Sequence, residues 1–380
     1  MALAYKSPGV YREDVYIRPI DALPTSIPGF VGFGRMIDGG PVALSRAEDL
    51  TKGLAPDADS WLPDAVTGFF ANGGVRCYVV GAASRDENGL TAAIDRLGPL
   101  TDLDLVAVPD AFSLAADAAQ RVQAAAIGHC SEHGNRFAIL DAPRVDTADA
   151  SHPVAPTLRA WRNAITAAGQ PANAALYYPW VKVASPGAAG GRAVPPCGHV
   201  AGIFARSDAR VGVFKAPANE ELIGALDLEF QVDAAVQDNL NPEGINCLRA
   251  FPGRGLRVWG ARTLSADAAW LYVNTRRLVL TLARWIDANM AWAAFEPNTP
   301  RLWIRIQREL NVYLGQLFQA GAFKGATAAD AFFVKCDAET NPADAREQGL
   351  VTTQISLAPA APAEFVIVRI VHRPGAAQLS

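Results

Sequence analysis

Apolar positions along this chain follow two rhythms. From about residue 30 to 185, short apolar runs alternate with stretches whose apolar positions recur at helical spacing. "RCYVVGA" (76–82), "LDLVAVPD" (103–110), "RFAILDAP" (136–143) and "AALYYPWVKV" (174–183) predict strands. "GLTAAIDRLG" (89–98), "LAADAAQRVQAAAIGHC" (114–130) and "TLRAWRNAITAAG" (157–169) predict the helices between them. Short apolar strands with helical spacers imply an α/β domain, its parallel or mixed sheet covered on both faces. "SPGAAGGRAVPPCG" (185–198) reads as a flexible Gly/Pro-rich loop, and "GHVAGIFARSDA" (198–209) as a further helix. From residue 245 the rhythm changes. "INCLRAF" and "GLRVWGARTL" predict strands around a Pro-Gly turn, followed by long helices near 265–290 and 299–321. Three strands near 331–337, 350–357 and 364–373 close the pattern, so the second unit is an α+β domain.

The two ends of the chain differ from both units. Residues 1–28 are broken by Pro8, Gly9, Pro19, Pro24 and Pro28 and read as an arm. Within it "VYREDVYIRPI" alternates: Tyr11, Glu13, Val15 and Ile17 point one way, Arg12, Asp14, Tyr16 and Arg18 the other. A short strand with prolines at its ends belongs on a sheet edge. At the other end "FVIVRIVHR" (365–373) is apolar on both faces as far as Val371 apart from Arg369, and little chain follows to cover it. Something outside the local sequence must pair with it. The expected division is an arm (1–28), an α/β domain (29–244), an α+β core (245–363) and a terminal strand (364–380).

The helix in "NTPRLWIRIQRELNVYLGQLFQAG" (298–321) has two faces. Thr299 suits the N-cap and Pro300 the first helical position. Leu302, Ile306, Leu310, Tyr313 and Leu317 form one stripe; Arg301, Arg305 and Arg308 cluster on nearly the opposite side with Gln316 and Gln319. Only Glu309 offsets three arginines within the helix, which favours docking on an acidic partner over a merely solvated face.

Length and charge narrow the picture. A chain of 380 residues implies two or three domains. Residues 251–380 carry 14 Lys/Arg against 10 Asp/Glu, net +4, which leaves −8 for the rest of a chain whose total is −4. So mild an asymmetry fits docking between protein copies better than a nucleic-acid groove. Cys77, Cys130, Cys197, Cys247 and Cys336 are scattered, odd in number and without C-x-x-C spacing, so reduced buried thiols are expected. "MALAYKSPGV" has no apolar signal core, and no run of eighteen apolar residues occurs; neither a secretion signal nor membrane insertion is expected.

Candidate chemistry is sparse. A phosphate-cradling Walker loop needs a Gly-Lys dipeptide, which the chain lacks. "GFGRMI" (32–37) starts like a dinucleotide loop, but Ile37 stands where the third glycine belongs. "HCSEH" (129–133) puts two histidines four apart, a zinc-like spacing, yet flanking Gly128 and Gly134 fit a helix end better. "KCDAETNP" (335–342) groups Asp337, Glu339 and Asn341; acids after a strand more often serve turns and ion pairs than metals. No G-x-S-x-G or H-E-x-x-H occurs. No catalytic site, cofactor or metal is expected.

Longer motifs then carry a resemblance. "SPGVYREDV" (7–15), "PTSIPGFVGF" (24–33), "AVTGFFANGGVRCYVV" (65–80), "NPEGINCLRAFPGRGLRVWGARTL" (241–264), "YVNTRRLVL" (272–280), "WAAFEPNTPRLW" (292–303), "FFVKCDAETN" (332–341) and "PAEFVIVRI" (362–370) occur in the order found in contractile tail sheath proteins. The chain resembles the sheaths of myophages, R-type bacteriocins and extracellular contractile injection particles. The resemblance implies a structural subunit that stacks as six-membered rings around an inner tube protein. The extended lattice contracts and drives the tube through a target envelope. It implies partners in the tube, baseplate and terminator or cap proteins, with no nucleic acid and no cofactor. Assembly in a bacterial cytoplasm and release in a phage tail or tail-like particle follow from the same likeness. It also implies strand exchange: Tyr11, Val15, Tyr16 and Ile17 at one end, and Phe365, Val366, Ile367, Val368, Ile370 and Val371 at the other, should complete sheets of neighbouring copies. Which terminal strand crosses stays open. Residues 29–244 should face outward and 245–363 the tube, with Arg301, Arg305 and Arg308 as tube-facing candidates. A Rossmann-like nucleotide enzyme and a non-contractile tail or baseplate protein are the alternatives.

Overall fold

The computed structural model describes residues 23–37, 39–146, 153–167, 170–185 and 188–364. The terminal residues expected to exchange strands, Tyr11 to Ile17 and Phe365 to Val371, lie outside the described residues.

The strands are β1 (Pro28–Met36), β2 (Val42–Leu44), β3 (Leu54–Pro56), β4 (Cys77–Ala82), β5 (Leu105–Ala107), β6 (Phe137–Asp141), β7 (Ala174–Tyr178), β8 (Val181–Ser185), β9 (Ala188–Val194), β10 (Glu220–Glu221), β11 (Ala225–Leu228), β12 (Ile245–Phe251), β13 (Gly255–Val258), β14 (Phe332–Lys335) and β15 (Gln354–Leu357). The large sheet runs β10-β13-β12-β7-β6-β5-β1-β4-β2, with β3 also on β1. Its centre, β4-β1-β5-β6-β7-β12, is parallel; β2, β3, β10 and β13 pair antiparallel. Neighbouring residues enter opposite cores, as strand geometry requires. Val31, Val80, Val106 and Leu140 face the helices Glu87–Asp95, Ala116–His133 and Val154–Thr166. Phe30, Val79, Leu105 and Ile139 face Leu62–Ala71 and Cys197–Arg210. Both faces are buried, which is why these strands read as continuous apolar runs.

The strand β1 is central, although its sequence looks like a loop. A Cβ on Gly29 would lie 2.6 Å from Leu103 Cδ1, and one on Gly32 2.6 Å from Asp110 Oδ2. The glycines mark close packing, not a turn.

Three expectations are corrected. The run 174–183 is two strands, because the chain leaves the large sheet at Pro179, which has no N–H to donate. The loop expected at 185–198 contains β9, which pairs antiparallel with β8 (Val181↔Val194, Val183↔Arg192) in a small sheet β11-β8-β9. At the edge of that sheet its glycines cost no inner ladder. Third, the boundary drawn at 244/245 falls inside the large sheet: β12 pairs parallel with β7 (Ile245↔Leu176) and β13 follows it. The change of rhythm at 245 marks a switch from helical crossovers to a hairpin within one sheet.

The second unit is built from the helices Val273–Asn289 and Pro300–Gln319 against β14 and β15. Its core holds Leu278, Leu282, Trp285, Leu302, Ile306, Leu310, Leu314 and Phe323. Trp285 stacks on Tyr313 at 4.1 Å. The helix Val273–Asn289 serves two cores, sending Val273 and Leu280 into the large domain and Leu278 and Trp285 into the small one. The mixed α/β architecture with a C-terminal α+β unit is thus as expected.

Candidate assembly surfaces

The stretch "GFGRMI" lies mostly within β1 and presents no phosphate loop. In an open α/β sheet a ligand sits beyond the carboxyl ends of the strands, where the order reverses. Here β4 and β5 flank β1, and the crevice at the ends of β1 and β5 is filled from within. Asp110, fully buried, accepts from Phe33 N at 2.6 Å, Trp61 N at 2.6 Å and Ser60 Oγ at 2.5 Å. A carboxylate of the chain itself takes the donors that a phosphate would need. Burial pushes the Asp110 pKa up, against these hydrogen bonds.

The two histidine-bearing and acidic motifs are also structural. The helix Ala116–His133 ends at Gly134, left-handed at φ +64°. Arg136 Nη1 lies 2.7 Å from His129 Nε2, and burial, then Arg136, push His129 down to about 4. Asp337 Oδ1 accepts from Glu339 N (2.9 Å) and Thr340 N (3.1 Å), an Asx turn. Lys335 pairs with Glu339. Among the described residues no group of three or more His, Cys, Asp or Glu is placed to hold a metal. All five cysteines are free and buried. Burial pushes Cys130 and Cys247 up to about 12, and raises Cys77 and Cys197 as well.

The helix Pro300–Gln319 has the two faces the sequence predicts. Leu302, Ile306 and Leu310 are buried, and Trp303 and Leu314 join them. Thr299 is extended (φ −130°, ψ 163°) but its side chain makes no cap bond. Arg301, Arg305 and Arg308 are all exposed. Arg305 stacks over Trp292, 3.5 Å from the ring centre, and reaches Glu309 Oε1 at 3.4 Å; Trp292 Nε1 donates to Glu309 Oε2 at 2.8 Å. Arg301 and Arg308 have no ionic, hydrogen-bond or ring partner among the described residues. Sequence reasoning missed the apolar members of this face. Ile304 (65% exposed) and Val312 (41%) lie among the arginines, and Phe295, left-handed at φ +67°, is fully exposed nearby in sequence. Apolar side chains interleaved with unpaired cations are features of a docking surface.

A second surface is the sheet β14-β15. Its register runs from Phe332↔Leu357 to Lys335↔Gln354, and among the described residues no other strand joins it. One face packs on the small core through Val334, Ile355 and Leu357, while the unpaired edges invite further strands. Phe333 on β14 is 59% exposed.

The roots of both terminal segments are fastened by charge. At the N-terminal root, Ser26 is left-handed at φ +56°. Asp104 accepts from Ser26 N (2.9 Å) and Ile27 N (2.7 Å). Ser26 Oγ donates to Asp208 Oδ2 (2.7 Å) and accepts from Arg277 Nη2 (3.0 Å). Arg277 pairs with Asp208 at 2.6 Å, and Arg284 donates to Pro24 O at 2.9 Å. Asp104, Asp208, Arg277 and Arg284 are all buried. At the C-terminal root, Glu364 accepts from Arg262 Nη2 (2.5 Å) and Nε (2.9 Å), Asn241 Nδ2 (2.9 Å) and the Tyr272 hydroxyl (3.3 Å).

The sequence model of the phage tail sheath protein central domain matches residues 83–264, and that of the phage tail sheath C-terminal domain matches residues 265–373. A prophage major tail sheath protein of Pseudomonas aeruginosa (strain UCBPP-PA14) is 27% identical over 302 residues, covering 74% of this chain and 70% of its own. A chain of the anti-feeding prophage helical sheath in its contracted state matches with a TM-score of 0.76 and 30% identity, covering 97% of this chain and 100% of that one. A chain of the contracted PVC sheath, from an extracellular contractile injection system, matches at 0.76 with 27% identity, covering 98% and 99%. The sheath tail protein of Desulfitobacterium hafniense, 11% identical at a TM-score of 0.58, covering 87% of this chain and 94% of its own, shares the fold.

Proposed function

From the premise that this chain belongs to the phage tail sheath protein family, we propose how its ends and its cationic helix build a contractile lattice. The chain is a structural subunit of a contractile tail sheath and not an enzyme. Copies stack as six-membered rings around an inner tube, between a baseplate and a terminator. The terminal segments, around Tyr11 to Ile17 and Phe365 to Val371, add strands to the β14-β15 sheet of neighbouring copies. The observation that carries this reading is the two-stranded sheet, whose edges no other described strand fills.

Energies support a division of labour. An eight-residue strand adds several backbone hydrogen bonds at about 1 kcal/mol net each. Its buried apolar side chains contribute about 1.5–3 kcal/mol apiece. Exposed ion pairs contribute about 0–1 kcal/mol each. Strand addition therefore keeps copies linked while the lattice rearranges, and polar contacts break and reform. The small unit built on the helices Val273–Asn289 and Pro300–Gln319 faces the tube, where the Arg301, Arg305 and Arg308 ridge makes such a breakable contact with an acidic tube surface. The large-sheet domain lies outward.

Truncation tests the linkage. Removing residues 1–20 should leave a folded subunit that forms no long sheath by electron microscopy, and removing 365–380 separately tells which end crosses between copies. Ordinary sheaths from both truncations would refute strand addition.

A further inference from the structure

The two charged clusters at the arm roots do more than hold loops in place. We infer that they are tension-bearing clamps, which pass the pull of a linked neighbour into the body of the subunit during contraction. The inference rests on the reading that the terminal segments join copies.

Any pull entering from residue 22 meets Pro24, Ser26 and Ile27 before it reaches β1. Those three residues are held by groups from three places: Asp104 ahead of β5, Asp208 on the helix Cys197–Arg210, and Arg277 and Arg284 on the helix Val273–Asn289. The load is thus shared between the large domain and the small one. Likewise, any pull entering from residue 365 meets Glu364 before β15. Glu364 is tied to Asn241 and Arg262 at the end of the large domain and to Tyr272 at the start of the long helix. Behind that tie, among the described residues, only neutral hydrogen bonds hold the segment before β15: Ala360 to Ala322 O and Asn274, and Ala358 to Lys324 and Ala331. Opening the N-terminal clamp would separate buried charges from their partners, a costly rupture. Ser26 adds a sign of constraint. A serine held at φ +56° persists only where its surroundings over-determine it.

The test uses full-length chains assembled with the tube and then contracted. Glu364→Gln loosens one clamp. Ser26→Gly with Asp208→Asn loosens the other, the glycine easing the left-handed backbone while removing the hydroxyl. Leu158→Ala, buried in the large core, is the control for general loss of stability. The clamp variants should form extended sheaths as the control does, yet fragment on contraction roughly tenfold more often or worse. Fragmentation no greater than the control's would overturn the inference. If a variant fails to assemble, single chains pulled between residue 10 and the body should yield at lower force than wild type; an unchanged force overturns it equally. The arm reading fails separately: ordinary sheaths from both the 1–20 and the 365–380 truncations sink that reading, whereas intact contraction of clamp variants in an arm-dependent lattice sinks the clamps alone.

Discussion

Replacing Asp141 with asparagine should stabilise the subunit, and more so as pH rises from about 4 to about 7. Asp141 ends β6, is buried, and accepts from Cys197 N at 2.8 Å at the start of the helix Cys197–Arg210. Burial raises its pKa from 3.8 to about 7, and the Cys197 hydrogen bonds only partly oppose this. The folded value lies above the unfolded one, so the folded chain holds the proton more tightly. Stability is therefore greatest below the unfolded value, declines as pH rises from about 4 to about 7, and is level beyond. A rise from 3.8 to about 7 at ~1.4 kcal/mol per tenfold in proton affinity makes the full penalty ~4 kcal/mol. Asparagine keeps an oxygen for the Cys197 N–H but brings an amide that needs its own acceptor, which returns ~1–2 kcal/mol. Urea unfolding of unassembled subunits measures this. Between about pH 5 and pH 8 the advantage of Asp141→Asn should grow by ~2–3 kcal/mol. An advantage that stays constant with pH, or a variant weaker than wild type at pH 8, would show that the carboxylate is not desolvated as argued.

Other expectations follow from single sites. His199 is buried and held down to about 4, below its ordinary 6.5, so the unfolded chain protonates first; stability should fall as pH drops from 6.5 to 4, and His199→Gln should flatten that limb of the urea midpoint profile. Gly32→Ala forces a Cβ to 2.6 Å from Asp110 Oδ2 and 2.9 Å from Leu62 Cβ, which should cost ~1–3 kcal/mol by thermal unfolding. Gly128→Ala, within a helix and with open space around its Cβ, should instead gain ~0.5–1 kcal/mol. Arg301→Glu with Arg308→Glu should leave the melting temperature nearly unchanged, since both are exposed, yet lower the yield of tube-filled sheaths; an unchanged ratio of filled to empty sheaths removes the ridge from tube contact.

Much of the parallel sheet was readable because buried strands leave an unbroken apolar run, and the helices between them leave a 3.6-residue period. The same rule explains the failures. Strand β1 escaped notice since Gly29 and Gly32 are set by the nearness of Leu103 and Asp110, which are distant in sequence. Strand β9 escaped because pairing on one edge tolerates glycines that local propensity counts as loop. The domain boundary was misplaced because a hairpin and a crossover can extend one sheet, and periodicity does not report which strand a strand will join. On the helix Pro300–Gln319 the arginines were visible as a cluster. The exposure of Ile304 and Val312 was not, because an apolar residue is assumed inward until packing shows otherwise. The root clamps link residues up to 260 positions apart and leave no local pattern at all.

The burial of every cysteine bears on how such a particle ages. Outside a reducing cell, dissolved oxygen and disulfide-bearing small molecules attack thiolates, and a bond formed across neighbouring copies would weld a lattice that must slide. Side chains sealed from solvent, four of them with ionisation pushed far above neutral pH, offer oxidants almost nothing to attack. A spring of this material can wait in oxidising surroundings without rusting shut.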